Sequence, residues 1–183
     1  MVFQEKTMQD VLVVVDVQND FCEGGALAAH DTESLIEEIN SLISKYSKDS
    51  KLVIFTRDWH PADHCSFKQQ GGQWPAHCVA GTRGAEFHPG LKLPPCHLVV
   101  SKATSQDKDA YSAFQDTGLA ELLHNLDIHS LAICGIATEY CVRATFEDAV
   151  ERGFDAVVKR RAIRPVVPDS EEEREAFEVF QSY

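Results

Sequence analysis

"SLAICGIATEYCVRATFEDAVERG", Ser130–Gly153, reads as a strand, a turn and a helix in immediate succession. Ser130–Cys134 is nearly continuous in apolar residues, the pattern of a strand buried on both faces. Gly135 permits a tight turn, Thr138 is a good N-cap, and Gly153 is a plausible stop for a helix predicted over Thr138–Arg152. The rest of the chain repeats the theme. Runs of the same kind lie at Val11–Val17, Leu52–Thr56 and His97–Ser101, with Ala156–Lys159 as a weaker fifth. Leu35, Ile36, Ile39, Leu42, Ile43 and Tyr46 recur at helical spacing and predict a helix over Thr32–Lys48, capped by Asp31 or Thr32; Leu119–Leu126 is another. Strands alternating with helices specify a central parallel sheet with right-handed crossovers, hence a three-layer α/β/α sandwich, with residues 1–183 as a single domain.

The chain has 183 residues and a formal charge of -12. That length buries roughly two-thirds of the unfolded surface without disulfides or metal staples. The acidity argues against nucleic acid, whose phosphates demand clustered Lys and Arg, and against an anionic membrane surface. No basic leader precedes a signal-length apolar core, and no apolar run spans a bilayer, so the expectation is a soluble cytoplasmic protein. Six cysteines are scattered with no C-x-x-C pair, which reads as free thiols rather than a zinc ribbon or a disulfide framework. A homo-oligomer is compatible with the sequence, which does not specify one.

In open parallel sheets the ligand site lies past the carboxyl ends of the strands. Those ends carry Asp16, the Arg57–His60 segment, Lys102 and the Gly135–Cys141 turn, so an acid, a potential metal site, an amine and a thiol converge on one edge. With Thr138 as cap, Cys141 falls at the third helical position, where its N–H has no intrahelical partner and the helix dipole favours a thiolate. One turn then offers both a nucleophile and an oxyanion donor. Asp16 closes an apolar strand; desolvated there, its pKa rises, and it can take the thiol proton and return it to a leaving amine. Lys102 can hold the negative charge of either group. Histidine is the commoner partner of a catalytic cysteine, so spacing alone does not select Asp and Lys.

Asp58 and His60, two apart at a strand end, can meet one cation, and their mixed oxygen and nitrogen donors suit zinc, iron or manganese. A third ligand is needed, and His64, His77, His88 and His97 are all available. The stretch from Trp59 to Pro95 has little periodicity, and a metal clip would explain how so long a loop stays ordered. The run "DSEEER" from Asp169 reads as the acidic first turn of a last helix.

"VVVDVQNDFCEGGALA", "TRDWHPADHCSF", "WPAHCVAGTRGAEFHPGL", "VSKATSQDKDAYSAF" and "CGIATEYCVRATFEDAVERGF" together resemble nicotinamidases of the isochorismatase-like hydrolase superfamily, in the family's order from about Val11 to Arg164. The resemblance implies an Asp–Lys–Cys triad at Asp16, Lys102 and Cys141. It also implies a cis peptide between Ile136 and Ala137, with an oxyanion hole from the amides of Ala137 and Cys141. For the metal it implies Asp58, His60 and His77, holding one divalent ion, zinc before iron or manganese. His64 then becomes a supporting or exposed residue, and Gln69 stands where an acid sometimes binds. Phe21 and Trp74 match aromatics that sandwich a flat ring, beside Ala137. The implied reaction is metal-dependent hydrolysis of nicotinamide to nicotinate and ammonia, with pyrazinamide as a further substrate. A metal-free amidase of the same fold, or a homologue that binds metal or ligand without catalysis, are the competing expectations. The family's sheet usually has a sixth strand after the last helix, but the sequence ends at "EVFQSY", so the expectation is either a missing final edge strand or a truncated chain.

Overall fold

Both faces of β1 (Val11–Val15) are covered, and every residue of the strand is fully buried. Alternate side chains go to opposite layers. Leu12 and Val14 pack with Leu35, Ile39, Ile43 and Tyr46 of α1 (Thr32–Lys48). Val11, Val13 and Val15 pack with Leu119 and Leu123 of α2 (Leu119–Asn125), with Phe146 and Ala149 of α3 (Arg143–Glu151), and with Phe177 and Phe180 of α4 (Glu171–Ser182). This is why the strand sequences do not alternate: a polar residue on either face would be buried without a partner. Each large aliphatic side chain so buried contributes about 2 kcal/mol.

The computed structural model describes residues 9–183. The expectation about a leader falls on residues 1–8, which lie outside the described residues. Beside β1 run β2 (Leu52–Asp58), β3 (Leu98–Lys102), β4 (Ser130–Ile136) and β5 (Asp155–Arg164), all parallel, in the order β3-β2-β1-β4-β5. Helices cover both faces of this five-stranded sheet, as the alternation of strands and helices requires. Among the described residues no strand follows α4, and no helix is long and apolar enough to cross a membrane.

The boundaries differ from the apolar runs where polar chemistry begins. Asp16 leaves β1 in the left-handed region, with φ 49, whereas β2 and β4 continue to Asp58 and Ile136. Gly135 is therefore not a turn residue. It lies within β4 opposite Val15, at φ 121, and a Cβ on it would come 2.1 Å from the carbonyl oxygen of Val15. The glycine is required by the approach of two strands rather than by a bend. β5 extends well past Ala156–Lys159, because its exposed edge carries Arg160 and Arg161, charges that hide a strand from an apolar search.

α1 has the bounds the spacing predicts, and Asp31 occupies its N-cap position in a left-handed conformation. Its carboxylate does not cap the helix; it takes the hydroxyl of Ser34 and lies 3.3 Å from Arg164. α4 does open on the acidic run: Ser170 Oγ accepts from the N–H of Glu173 at 3.1 Å, and Glu173 accepts from the N–H of Asp169 at 2.7 Å. The long loop after β2 is held by local bridges, His60 to Val79 and Phe67 to Trp74, and by one from Gln18 to Phe87.

Candidate active site

Lys102, the last residue of β3, is 1% exposed, and its ammonium is the centre of the site. It bonds the carboxylate of Asp58, lies 2.9 Å from Asp16 Oδ2, and donates to Cys141 Sγ at 3.4 Å and to the Ala110 carbonyl at 3.3 Å. Burial alone would lower its pKa, but the two carboxylates outweigh that and hold it well above the ordinary lysine value. Asp16, Asp58 and Cys141 converge from three strand ends to within 4.8 Å of one another.

The two acids are driven apart by their surroundings. Burial raises Asp16, Lys102 opposes this, and the neighbouring Asp58 charge adds to the rise. Burial acts on Asp58 too, but there the Lys102 ammonium overcomes it, and the carboxyl is held well below the usual range. Asp16 is thus the acid that can carry a proton, and Asp58 stays ionised. The hydroxyl of Thr56 donates to Asp16 Oδ1 at 2.6 Å. Asp16 Oδ2 lies 2.9 Å from the Lys102 ammonium, which also donates to Cys141 Sγ, so the carboxylate and the thiol are held beside the same charge.

Cys141 stands in a π-helical turn, Thr138–Val142, and not at the third position of an α-helix. The carbonyl of Ala137 accepts from Tyr140 at 3.2 Å and from Val142 at 3.1 Å, so the intervening Cys141 N–H is not the donor that closes the turn. Thr138 does not cap it: the preceding Ala137 holds the cap position, and Thr138 Oγ1 has no partner. The Ile136–Ala137 peptide is cis. A lowered thiol pKa, expected from the helix dipole, is reversed. Cys141 is 6% exposed, and burial pushes the thiol well above its ordinary value; Lys102 opposes the shift and Asp16 and Asp58 add to it. Desolvation outweighs a dipole that acts only over the first turn.

Asp58, His60 and His77 offer ligand atoms that all lie within 4.8 Å of one another. His60 Nδ1 is 3.1 Å from the carbonyl of Ala103, and His77 Nδ1 is 2.8 Å from that of Pro75. A carbonyl can only accept, so each ring carries its proton on Nδ1. The two Nε2 lone pairs then face each other across 3.3 Å, and Asp58 Oδ2 is 3.5 Å from His60 Nε2. Burial lowers the pKa of His77, favouring the neutral ring that a metal requires. Two neutral imidazoles and a carboxylate aimed at one point fit a divalent cation and leave coordination positions open.

His64 is fully buried, so the exposed alternative for it is overturned. It stacks on His60 at 4.1 Å, with Nδ1 2.8 Å from Ser66 Oγ and Nε2 3.0 Å from the Lys108 carbonyl. Both nitrogens are committed, and the ring backs His60 without facing the donor cluster. Gln69 is exposed, in a 3-10 turn away from the cluster.

Phe21, Trp74, His77, Asp58, Ala137 and Cys141 share the wall of one cavity. Tyr111 and Tyr140 also line it, and neither had been singled out from the sequence. The Trp74 indole donates to Tyr111 Oη at 3.0 Å, and Tyr140 meets Trp74 edge-on at 5.3 Å. Both tyrosines lie inside quoted motifs, and for Tyr140 its place next to Cys141 was the available signal. Glu139, beside them, is 8% exposed. Its Oε1 accepts from the N–H groups of Val166 at 2.9 Å and Val167 at 3.4 Å, while Oε2 has no partner. Burial raises its pKa against those hydrogen bonds.

Residues 10–181 match the model of the isochorismatase domain. The chain is 36% identical over 187 residues to a nicotinamidase of Escherichia coli (strain K12), covering 91% of this chain and 88% of that protein. It superposes on a crystal structure of the pyrazinamidase of Pyrococcus horikoshii in complex with zinc with a TM-score of 0.91 and 44% identity, covering 96% of each chain. For PnC1 from L. infantum in complex with nicotinate the TM-score is 0.82 and the identity 36%, over 93% of this chain and 89% of that one.

Proposed function

Since this chain belongs to the isochorismatase family, we propose that it is a nicotinamidase that hydrolyses nicotinamide to nicotinate and ammonia, and pyrazinamide by the same route. The observation that carries the reading is the buried Lys102 ammonium with Asp16, Asp58 and Cys141 around it, opening onto a cavity walled by aromatic rings.

In the resting site the thiol is neutral and Asp16 is an ionised acceptor. Proton transfer from Cys141 to Asp16 moves one negative charge from a carboxylate to a thiolate, both close to the same ammonium, so the buried site keeps its net charge. The thiolate attacks the carboxamide carbon, and the amides of Ala137 and Cys141 receive the oxyanion. As the intermediate collapses, the proton on Asp16 goes to the leaving nitrogen and ammonia departs, leaving a thioester. Asp16 then takes a proton from water, whose oxygen attacks the thioester carbon; the thiolate leaves, and Asp16 returns the proton to it. Phe21 and Trp74 hold the flat ring between them, with Tyr111 and Tyr140 at the rim.

Asp58, His60 and His77 are the residues that would hold a divalent ion, with zinc proposed, and such an ion supplies a Lewis-acid anchor for the ring nitrogen. The test is ammonia release from nicotinamide by protein purified without chelators, with metal content measured on the same sample. Turnover that persists in Cys141→Ala would overturn the mechanism. A fully active preparation free of metal would favour a metal-free amidase.

A further inference from the structure

The segment directly after Asp16, "VQND", takes part in none of the steps above, yet its side chains reach every backbone stretch that bears a proposed metal ligand. Gln18 is fully buried. Its Oε1 accepts from the N–H of Asp58 at 2.8 Å, and its Nε2 donates to the Asp58 carbonyl at 2.8 Å and to the Ala85 carbonyl at 2.9 Å. The amide thus pairs with Asp58 as a neighbouring strand would, at the point where β2 ends. Asn19 Nδ2 donates to the Arg83 carbonyl at 2.7 Å. Asp20 Oδ2 accepts from the N–H of Cys78 at 2.7 Å, and Cys78 in turn accepts from the N–H of His60 at 3.0 Å. Cys78 follows His77 and sits at φ 45, a conformation that a side chain tolerates only when held. The Asp20 carboxylate is also closely fitted: a Cβ on Gly84 would come 2.1 Å from its Oδ2.

We infer that Gln18 and Asp20 are positioning residues that preform the metal site, Gln18 by fixing the backbone of Asp58 and Asp20 by fixing Cys78 between His77 and His60. The inference rests on the metal reading proposed above. Two of the three donors, His60 and His77, lie on the long irregular loop beyond β2 and share no scaffold with Asp58 at the strand end, and this segment, anchored by β1, supplies one. The cost of ordering the loop is then met before an ion arrives, which lowers the rate at which the ion is lost.

The experiment loads wild type, Gln18→Met, Asp20→Ala and Asp20→Asn with zinc alone and follows its transfer to a chromogenic chelator, with the thermal melt of each metal-free protein as the check on folding. Gln18→Met and Asp20→Ala are expected to lose zinc at least about tenfold faster than wild type. Asp20→Asn keeps an acceptor for Cys78 and is expected to restore slow release. Should Gln18→Met fail to fold, the half-buried Asp20 pair carries the test by itself. Release from Asp20→Ala at the wild-type rate overturns the inference while leaving the metal reading intact. A wild-type protein that takes up no zinc overturns the metal reading and this inference with it.

Discussion

Asp58 and Lys102 are register partners at the ends of β2 and β3, and their side chains close onto each other beyond the sheet. The second oxygen of Asp58 turns the other way, toward His60. One carboxylate therefore joins the ammonium that serves Cys141 to the proposed metal ligands, and the sheet register determines how far apart these two parts of the site are.

Removing the ammonium should be costly for folding as well as for chemistry. Lys102→Met leaves two buried carboxylates facing each other without a cation, which is expected to destabilise the protein by about 3 to 5 kcal/mol. Urea denaturation reads the loss, and ammonia release should fall to background in the same protein. Unchanged stability would mean that Asp16 and Asp58 are not held by that charge.

Gly135→Ala is expected to cost about 3 kcal/mol or more, since the new Cβ would overlap the Val15 carbonyl and force a conformation near φ 121 on a residue with a side chain. The midpoint of chemical denaturation measures it, with Gly153→Ala as a control in which only the positive φ is at stake, because a Cβ there meets nothing. Equal losses in the two variants would contradict the close approach of β1.

Glu139 makes stability depend on pH in a definite direction. Its folded pKa is raised by burial, so the folded state holds the proton more tightly than the unfolded chain. Its favourable contribution is complete below the ordinary glutamate value and is lost as pH rises through the folded value. Wild type should therefore lose stability relative to Glu139→Gln over that interval on the alkaline side of the ordinary value. Denaturation midpoints of both proteins across the acid range provide the comparison, and a constant difference would show that the carboxyl is not desolvated.

Metal removal should abolish turnover without unfolding the chain, because no proposed ligand belongs to the apolar clusters that hold the layers together. Treatment with a strong chelator is expected to stop ammonia release and leave far-ultraviolet circular dichroism unchanged. Restoring zinc should bring activity back. Loss of helix and strand signal on chelation would mean that the ion holds the fold itself.

Much of the fold was legible because buried parallel strands and an amphipathic helix announce themselves by composition and period. α1 shows this best, since six apolar residues on one stripe determine both its existence and its length. β5 was only half visible, because an edge strand that protects itself with Arg160 and Arg161 resembles a loop. Asp16 and Lys102 stood out as polar residues ending apolar runs and Cys141 as a thiol in the first turn of a predicted helix; the family resemblance grouped them as a triad, and the structure brings them together. The thiol's proton affinity was misjudged in sign: a dipole can be read from a helix start, but the burial of Cys141 depends on three layers closing over it. Gln18 and Asp20 left no trace in any period. Their work is side chain to backbone across long sequence separations, which a linear pattern does not record.

The contact between Gly135 and Val15 has a last consequence, for inheritance. Where two backbones touch with no side chain between them, the gap has no adjustable part, and substitutions in the surrounding layers cannot reset it. Asp16 follows one of those residues directly, and the turn bearing Cys141 begins just beyond the other. The offset between acid and thiol is thus built from bare main chain, and descendants of this chain can exchange most of their core while transmitting that spacing unaltered.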